Sequence, residues 1–92
     1  MTCRMNHNVI HVDGFFKRLS DIKMLMNCIN LINDSSIKIV INESFGLPSM
    51  IIGQLIKLID EGIKVSLEVK EQKLYDSLEN LNLIETLNVK KI

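Results

Sequence analysis

The spacing of hydrophobic and polar positions changes several times along the chain, and each change marks a predicted element. Residues 9–14 predict a short first strand closed by a glycine turn. From Leu19 the apolar residues recur at intervals of three and four, which predicts an amphipathic helix ending near residues 33–36. Ser20 is the expected N-cap of this helix, and Asp21 lies in its first turn.

The middle of the chain predicts a strand, a helix and a second strand. Residues 37–41 are β-branched at four of five positions, which suits a buried strand. The next helix is expected to begin at Pro48, whose φ suits a first helical position, and to stop at Gly62. Residues 63–69 alternate strictly and leave one face entirely polar. Because a central strand of a doubly wound sheet is apolar on both faces, this pattern predicts helices on one side only, or an edge position.

A third helix is predicted over about residues 71–81, and a last turn and strand over residues 83–89. The predicted order is therefore β-α-β-α-β-α-β in a single α/β domain of residues 1–92. Its short connections require right-handed crossovers and a mostly parallel sheet. We expect helices mainly on one face of that sheet.

Charge and composition exclude several classes of function. Eleven Lys and Arg balance eleven Asp and Glu, so no basic field is available to gather nucleic acid. No segment is apolar over the length of a membrane span, and the amino terminus does not resemble a secretory signal. We expect a cytoplasmic protein with reduced thiols at Cys3 and Cys28, which form no C-x-x-C pair.

Metal binding and catalysis have weak support in the sequence. Cys3, His7 and His11 are spaced by four and would share a face of an extended strand, but a fourth ligand is missing. Acid–base chemistry would need paired titratable groups, and the carboxylates fall on polar faces or helix ends. A phosphate-binding loop needs more glycine than Gly46 supplies. We therefore predict no enzyme activity, no metal and no cofactor.

The junction between residues 37–41 and the following helix is the main candidate site. A hydroxyl at Ser44 would lie at the positive end of a helix, where backbone N–H groups and peptide dipoles hold a phosphoryl group or an acidic partner. The alternative is a turn serine whose hydroxyl satisfies a backbone N–H group. Phe45 and Met50 would be partly exposed if the loop projects, and such groups often mark a partner surface.

Residues 43–47, Glu-Ser-Phe-Gly-Leu, resemble the signature Asp-Ser-Ser/Thr-Gly-Leu of the STAS family. This family includes bacterial anti-sigma factor antagonists and the cytoplasmic domains of sulfate transporters. Residues 12–14 look like the end of the family's first strand, and residues 74–87 resemble its third helix and the segment that follows. The chain departs from the signature at Glu43 and Phe45, and its connection into the helix is shorter than usual.

The resemblance implies a STAS-like fold and a regulatory module that binds a protein partner, either an anti-sigma factor with serine kinase activity or a transporter subunit. In antagonists of this family the partner kinase phosphorylates the signature serine, which here is Ser44. If the helix starts later, Ser49 is the exposed hydroxyl instead. The predicted partner-binding residues are Glu43, Ser44, Phe45, Gly46, Leu47, Ser49 and Met50.

The sequence leaves two alternatives to the switched regulator. One is a non-switching STAS adaptor, for example the small subunit of a lipid-transport ATPase. The other is a small nucleotide-binding domain that uses the loop at Gly46.

Overall fold

The computed structural model describes all residues 1–92, which form one five-stranded sheet and three helices. The elements are β1 (Thr2–Asn6), β2 (Val9–Asp13), α1 (Leu19–Leu31), β3 (Ser36–Ile41), α2 (Ser49–Asp60), β4 (Lys64–Val69), α3 (Gln72–Asn80) and β5 (Val89–Lys91). The strands lie in the order β1-β2-β3-β4-β5, with β1 antiparallel to β2 and the other neighbours parallel. The predicted α/β class and mostly parallel sheet are therefore confirmed.

Strand β1 is missing from the prediction, so the true order is β-β-α-β-α-β-α-β. Its side chains are mostly exposed and show no apolar alternation, because it is an edge strand that contributes little to the core. It joins β2 through a tight turn in which His7 has φ 57°.

The hairpin formed by β1 and β2 contradicts the shared face suggested for Cys3, His7 and His11. Cys3 is paired with Val12, whereas His11 is paired with Arg4. Directly paired residues point to the same side of a sheet, and successive residues point to opposite sides. Cys3 and His11 therefore lie on opposite faces, and no group of three candidate ligands comes together anywhere in the chain.

Helix α1 begins one residue before its expected N-cap. Ser20 lies inside the first turn, and the residue before the helix is Arg18. The Asp21 carboxylate accepts hydrogen bonds from the backbone N–H groups of Lys17 (3.0 Å) and Arg18 (3.1 Å). A carboxylate in the first turn thus bonds back to the residues before the helix, whereas no side chain accepts the first-turn N–H groups as Ser20 was expected to do.

The last strand was predicted too early. Residues 81–88 form turns in which Asn82 and Asn88 have φ values of 57° and 50°. The N–H group of Leu87 donates to the carbonyl of Leu83, a helical pattern that cannot belong to a strand. Only Val89–Lys91 pairs with β4.

Helix α2 ends as the sequence predicts. Gly62 has φ 90°, which glycine adopts without the steric cost that a β-carbon brings. The N–H group of Ile63 then donates to the carbonyl of Leu58 and closes the helix. This ending returns the chain to the sheet at the start of β4.

The core lies between the sheet and its helices, on one face only. One cluster of 16 buried aliphatic side chains includes Val65, Leu67 and Val69 of β4, together with residues from all three helices. The intervening Ser66 and Glu68 point to the other face, where Glu68 forms an ion pair with Lys38 (3.5 Å). The one-sided coverage predicted from residues 63–69 is therefore present.

Candidate functional site

Three loops meet at the carboxyl ends of the parallel strands. They are residues 14–18 after β2, residues 42–48 after β3 and residues 70–71 after β4. Because these strands are neighbours in the sheet, their loops leave side by side, and we call this end of the molecule the carboxyl edge. Open α/β sheets commonly bind their ligands at this edge.

Ser44 is buried at the carboxyl edge and does not offer a free hydroxyl. Its side chain is 4 % exposed. The Oγ atom donates to the carbonyl of Gly46 at 2.7 Å, and the Gly46 N–H group donates back to Oγ at 3.3 Å. The expected exposed hydroxyl is thus absent, because Ser44 lies inside the loop rather than at the start of α2. Its geometry is that of the turn serine.

Helix α2 begins at Ser49, one residue after the predicted start at Pro48, which lies at the N-cap position instead. Ser49 is exposed, and the preceding Pro48 accepts the first intrahelical bonds, from the N–H groups of Ile51 and Ile52. No side chain caps this helix, and its first turn contains no acidic residue. The second-choice phosphoacceptor is therefore the accessible hydroxyl at the start of α2.

Polar contacts join the first two loops of the carboxyl edge. The Gly14 N–H group donates to Oε1 of Glu43 at 3.1 Å, and the Asn42 amide donates to Oδ1 of Asp13 at 2.7 Å. Arg4 lies 3.0 Å from the other oxygen of Asp13. The hydrogen bond from Asn42, supported by Arg4, lowers the pKa of Asp13 below its ordinary value. Glu43, predicted to contact a partner, thus has a role within the fold.

The exposed part of the carboxyl edge is an aromatic groove. The rings of Phe15 and Phe45 meet edge to face, with centroids 5.5 Å apart, and Lys73 Nζ lies 5.2 Å from the Phe45 centroid. Phe15 is 37 % exposed and Phe45 is 50 % exposed. The groove has a volume of about 410 Å³, and its lining residues are Phe15, Phe16, Ser44, Phe45, Gly46, Leu47 and Pro48.

All three phenylalanines of the chain line this groove. Four of the predicted contact residues, Ser44, Phe45, Gly46 and Leu47, line it, whereas Met50 is 47 % exposed but is not part of its lining. The prediction missed Phe15 and Phe16. The sequence signal for these two residues was a pair of aromatic side chains directly after a turn glycine. Because a turn offers little apolar surface to bury them, such a pair indicates partly exposed aromatic rings.

The lining of the groove carries no charged side chain. The groove itself therefore favours an apolar group, and Lys73 lies at its rim over the Phe45 ring. Separately, none of the three helices has the length and hydrophobicity needed to cross a membrane.

Comparison of the chain with protein-family models, with curated proteins and with solved structures found no significant match. The resemblance to the STAS family therefore rests on the short stretches 12–14, 43–47 and 74–87 alone.

Proposed function

We propose that this protein is a protein-interaction module of the STAS type that binds its partner through the aromatic groove at the carboxyl edge. The observation that carries the proposal is the gathering of every phenylalanine of the chain in one open groove. The mostly parallel sheet and the position of residues 43–47 between β3 and α2 support the STAS assignment.

The exposed aromatic surface is large enough to contribute substantially to binding. Half of Phe45 is exposed. Covering that half would remove about 100 Å² of apolar surface from water, which contributes about 2.5 kcal/mol. This free energy corresponds to roughly 70-fold in affinity. Aromatic side chains commonly provide such dominant contacts in interfaces, so Phe45 is the expected anchor.

The geometry favours the non-switching adaptor over a switch at Ser44. The Ser44 hydroxyl is buried and engaged with Gly46, so a kinase could reach it only after the loop opened. Ser49 is the exposed hydroxyl next to the groove-lining Pro48. A phosphate there would add negative charge at the uncapped start of α2, where the helix dipole stabilises it.

The test is affinity capture from the native cell extract with wild-type protein and matched variants. Phe45→Ala should lose the partner. Leu31→Ala should retain it, because Leu31 is an equally apolar side chain, 74 % exposed, at the far end of α1. Mass spectrometry of the captured material identifies the partner and any phosphoryl group on Ser44 or Ser49. Equal capture by the wild type and Phe45→Ala would refute the proposal.

A further inference from the structure

The carboxyl edge carries a cluster of unpaired cations around the aromatic groove. Five exposed basic side chains lie on its loops or at the adjoining ends of elements: Lys17, Arg18, Lys70, Lys73 and Lys91. The ion pairs of the protein are Arg4–Asp13 and Lys38–Glu68. None of the five therefore has an Asp or Glu side chain within ion-pair distance, although Lys91 Nζ donates to the main-chain oxygen of Ile92 at 3.0 Å.

The acidic residues nearest to this cluster are engaged within the loops. Asp21 accepts the backbone N–H groups of Lys17 and Arg18, and Glu43 accepts that of Gly14. Of the remaining carboxylates at this edge, only Glu71 has no hydrogen bond or ion pair, and it is half-buried at the start of α3. These hydrogen bonds leave the carboxylates charged, so outside the Arg4–Asp13 pair the edge carries five basic side chains against the three acidic side chains of Asp21, Glu43 and Glu71, a modest excess of positive charge.

The opposite end of the molecule has the reverse charge. The loops and helix ends at the amino ends of the parallel strands carry five acidic residues against Lys57 and Lys64. These acidic residues are Asp34, Asp60, Glu61, Glu79 and Glu85. The formal net charge of zero thus conceals a separation of charge along the strands, so the positive edge is not a consequence of a basic composition.

We propose that the partner presents an acidic segment with one large apolar side chain. This inference rests on the interaction function proposed above. The apolar side chain enters the groove between Phe15 and Phe45, and neighbouring carboxylates face Lys17, Arg18 and Lys73. Lys73 joins the two features, because its ammonium group already lies over the Phe45 ring. The groove volume of about 410 Å³ is enough to hold one large apolar side chain.

Complementary charge at the rim of an interface mainly accelerates association and selects among partners. The exposed cations are screened by salt, whereas the apolar contact is not weakened in this way. Binding should therefore weaken as the salt concentration rises, and a residual affinity that depends on Phe45 should persist.

The probes are three short synthetic peptides of equal length, titrated into isotopically labelled protein and followed by amide chemical shifts. One is rich in Glu with a single Phe, the second replaces each Glu with Lys, and the third replaces the Phe with Ser. The first peptide should shift residues 14–18 and 43–48 at the lowest concentration. Equal binding of the Lys peptide or of the Ser peptide would overturn the inference, as would the absence of shifts with all three.

The charge-reversal variant Lys17→Glu/Arg18→Glu/Lys73→Glu separates this inference from the proposed function. It should lower the affinity for the Glu-rich peptide about tenfold or more. Lys64→Glu, at the opposite edge, is the control and should leave it unchanged. If the triple variant still captures the cellular partner while Phe45→Ala does not, the proposal that the partner has an acidic segment is wrong, whereas the proposed interaction through the groove is supported. If the protein alone forms a dimer that dissociates as salt is added, the groove is occupied by the acidic end of a second copy, and the proposal of a different partner protein is wrong.

Discussion

Substitutions at Ser44 and Ser49 should affect stability in opposite directions. Ser44→Ala removes a hydroxyl that makes hydrogen bonds of 2.7 Å and 3.3 Å with Gly46. Gly46 is exposed and can bond to water instead, so the net loss is about 1 kcal/mol. For a domain of this size that loss lowers the melting temperature by roughly 4–8 °C.

Ser44→Asp is the more severe perturbation. It places a larger, charged group in a position that is 4 % exposed, within a loop already arranged around a hydroxyl. We expect a loss of about 3 kcal/mol, since burying a charge without a partner is among the costliest single changes. Total stabilities of such domains are about 5–15 kcal/mol, so the variant should remain folded but be clearly weakened.

Ser49→Asp is the matched control. Its carboxylate would stand in the first turn of α2, which has no acidic residue and no capping side chain. The helix dipole should stabilise it by about 0.3–1 kcal/mol. Urea denaturation followed by circular dichroism gives all three free energies, with the denaturant dependence as a check on two-state unfolding. A Ser44→Asp protein as stable as the wild type would show an open hydroxyl and restore Ser44 as the phosphoacceptor.

Three other predictions concern the loops and the amino-terminal strand. Gly14→Ala should lower the free energy of unfolding by about 1–3 kcal/mol, because φ is +92° and a β-carbon would lie 3.1 Å from the backbone of the first residue. Gly46→Ala should leave the free energy of unfolding nearly unchanged, since no atom lies within 4 Å of the added β-carbon. Thermal melts of the two variants would compare them directly. Burial raises the pKa of Cys3 to about 11. Alkylation of Cys3 by iodoacetamide at mildly alkaline pH should therefore be slow in the folded protein and fast in urea. Equal alkylation rates under the two conditions would contradict the burial of Cys3. The hydrogen bond from Asn42 lowers the pKa of Asp13 in the folded protein. The ionised Asp13 side chain therefore stabilises the fold at pH values above its unfolded pKa, and this stabilisation is lost as the pH falls through the lower folded pKa. Asp13→Asn should remove that part of the acid sensitivity in pH-dependent denaturation, and an unchanged profile would contradict the assignment.

The sequence by itself determined the elements that carry a strong local pattern. Strands β3 and β4 were predictable because the pattern of each depends on which of its sides faces the core, and the end of α2 was predictable because Gly62 adopts a positive φ. The polar face of β4 indicated either a one-sided sheet or an edge position, and the strand order, with β4 between β3 and β5, decided for the first. Strand β1 and the position of β5 lacked such a pattern, since an edge strand and a three-residue strand bury few side chains.

Only the tertiary structure decided the candidate site. The hydrogen bond from Gly14 to Glu43 joins residues 29 positions apart, and the contact between Phe15 and Phe45 joins residues 30 positions apart. These contacts arise because β2 and β3 are parallel neighbours in a fixed register. The spacing of residues within either loop gives no information about that register. The burial of Ser44 likewise depends on how the β3–α2 loop folds back at Gly46. Local periodicity specifies the faces of single elements, whereas parallel pairing brings distant loops together to form a surface.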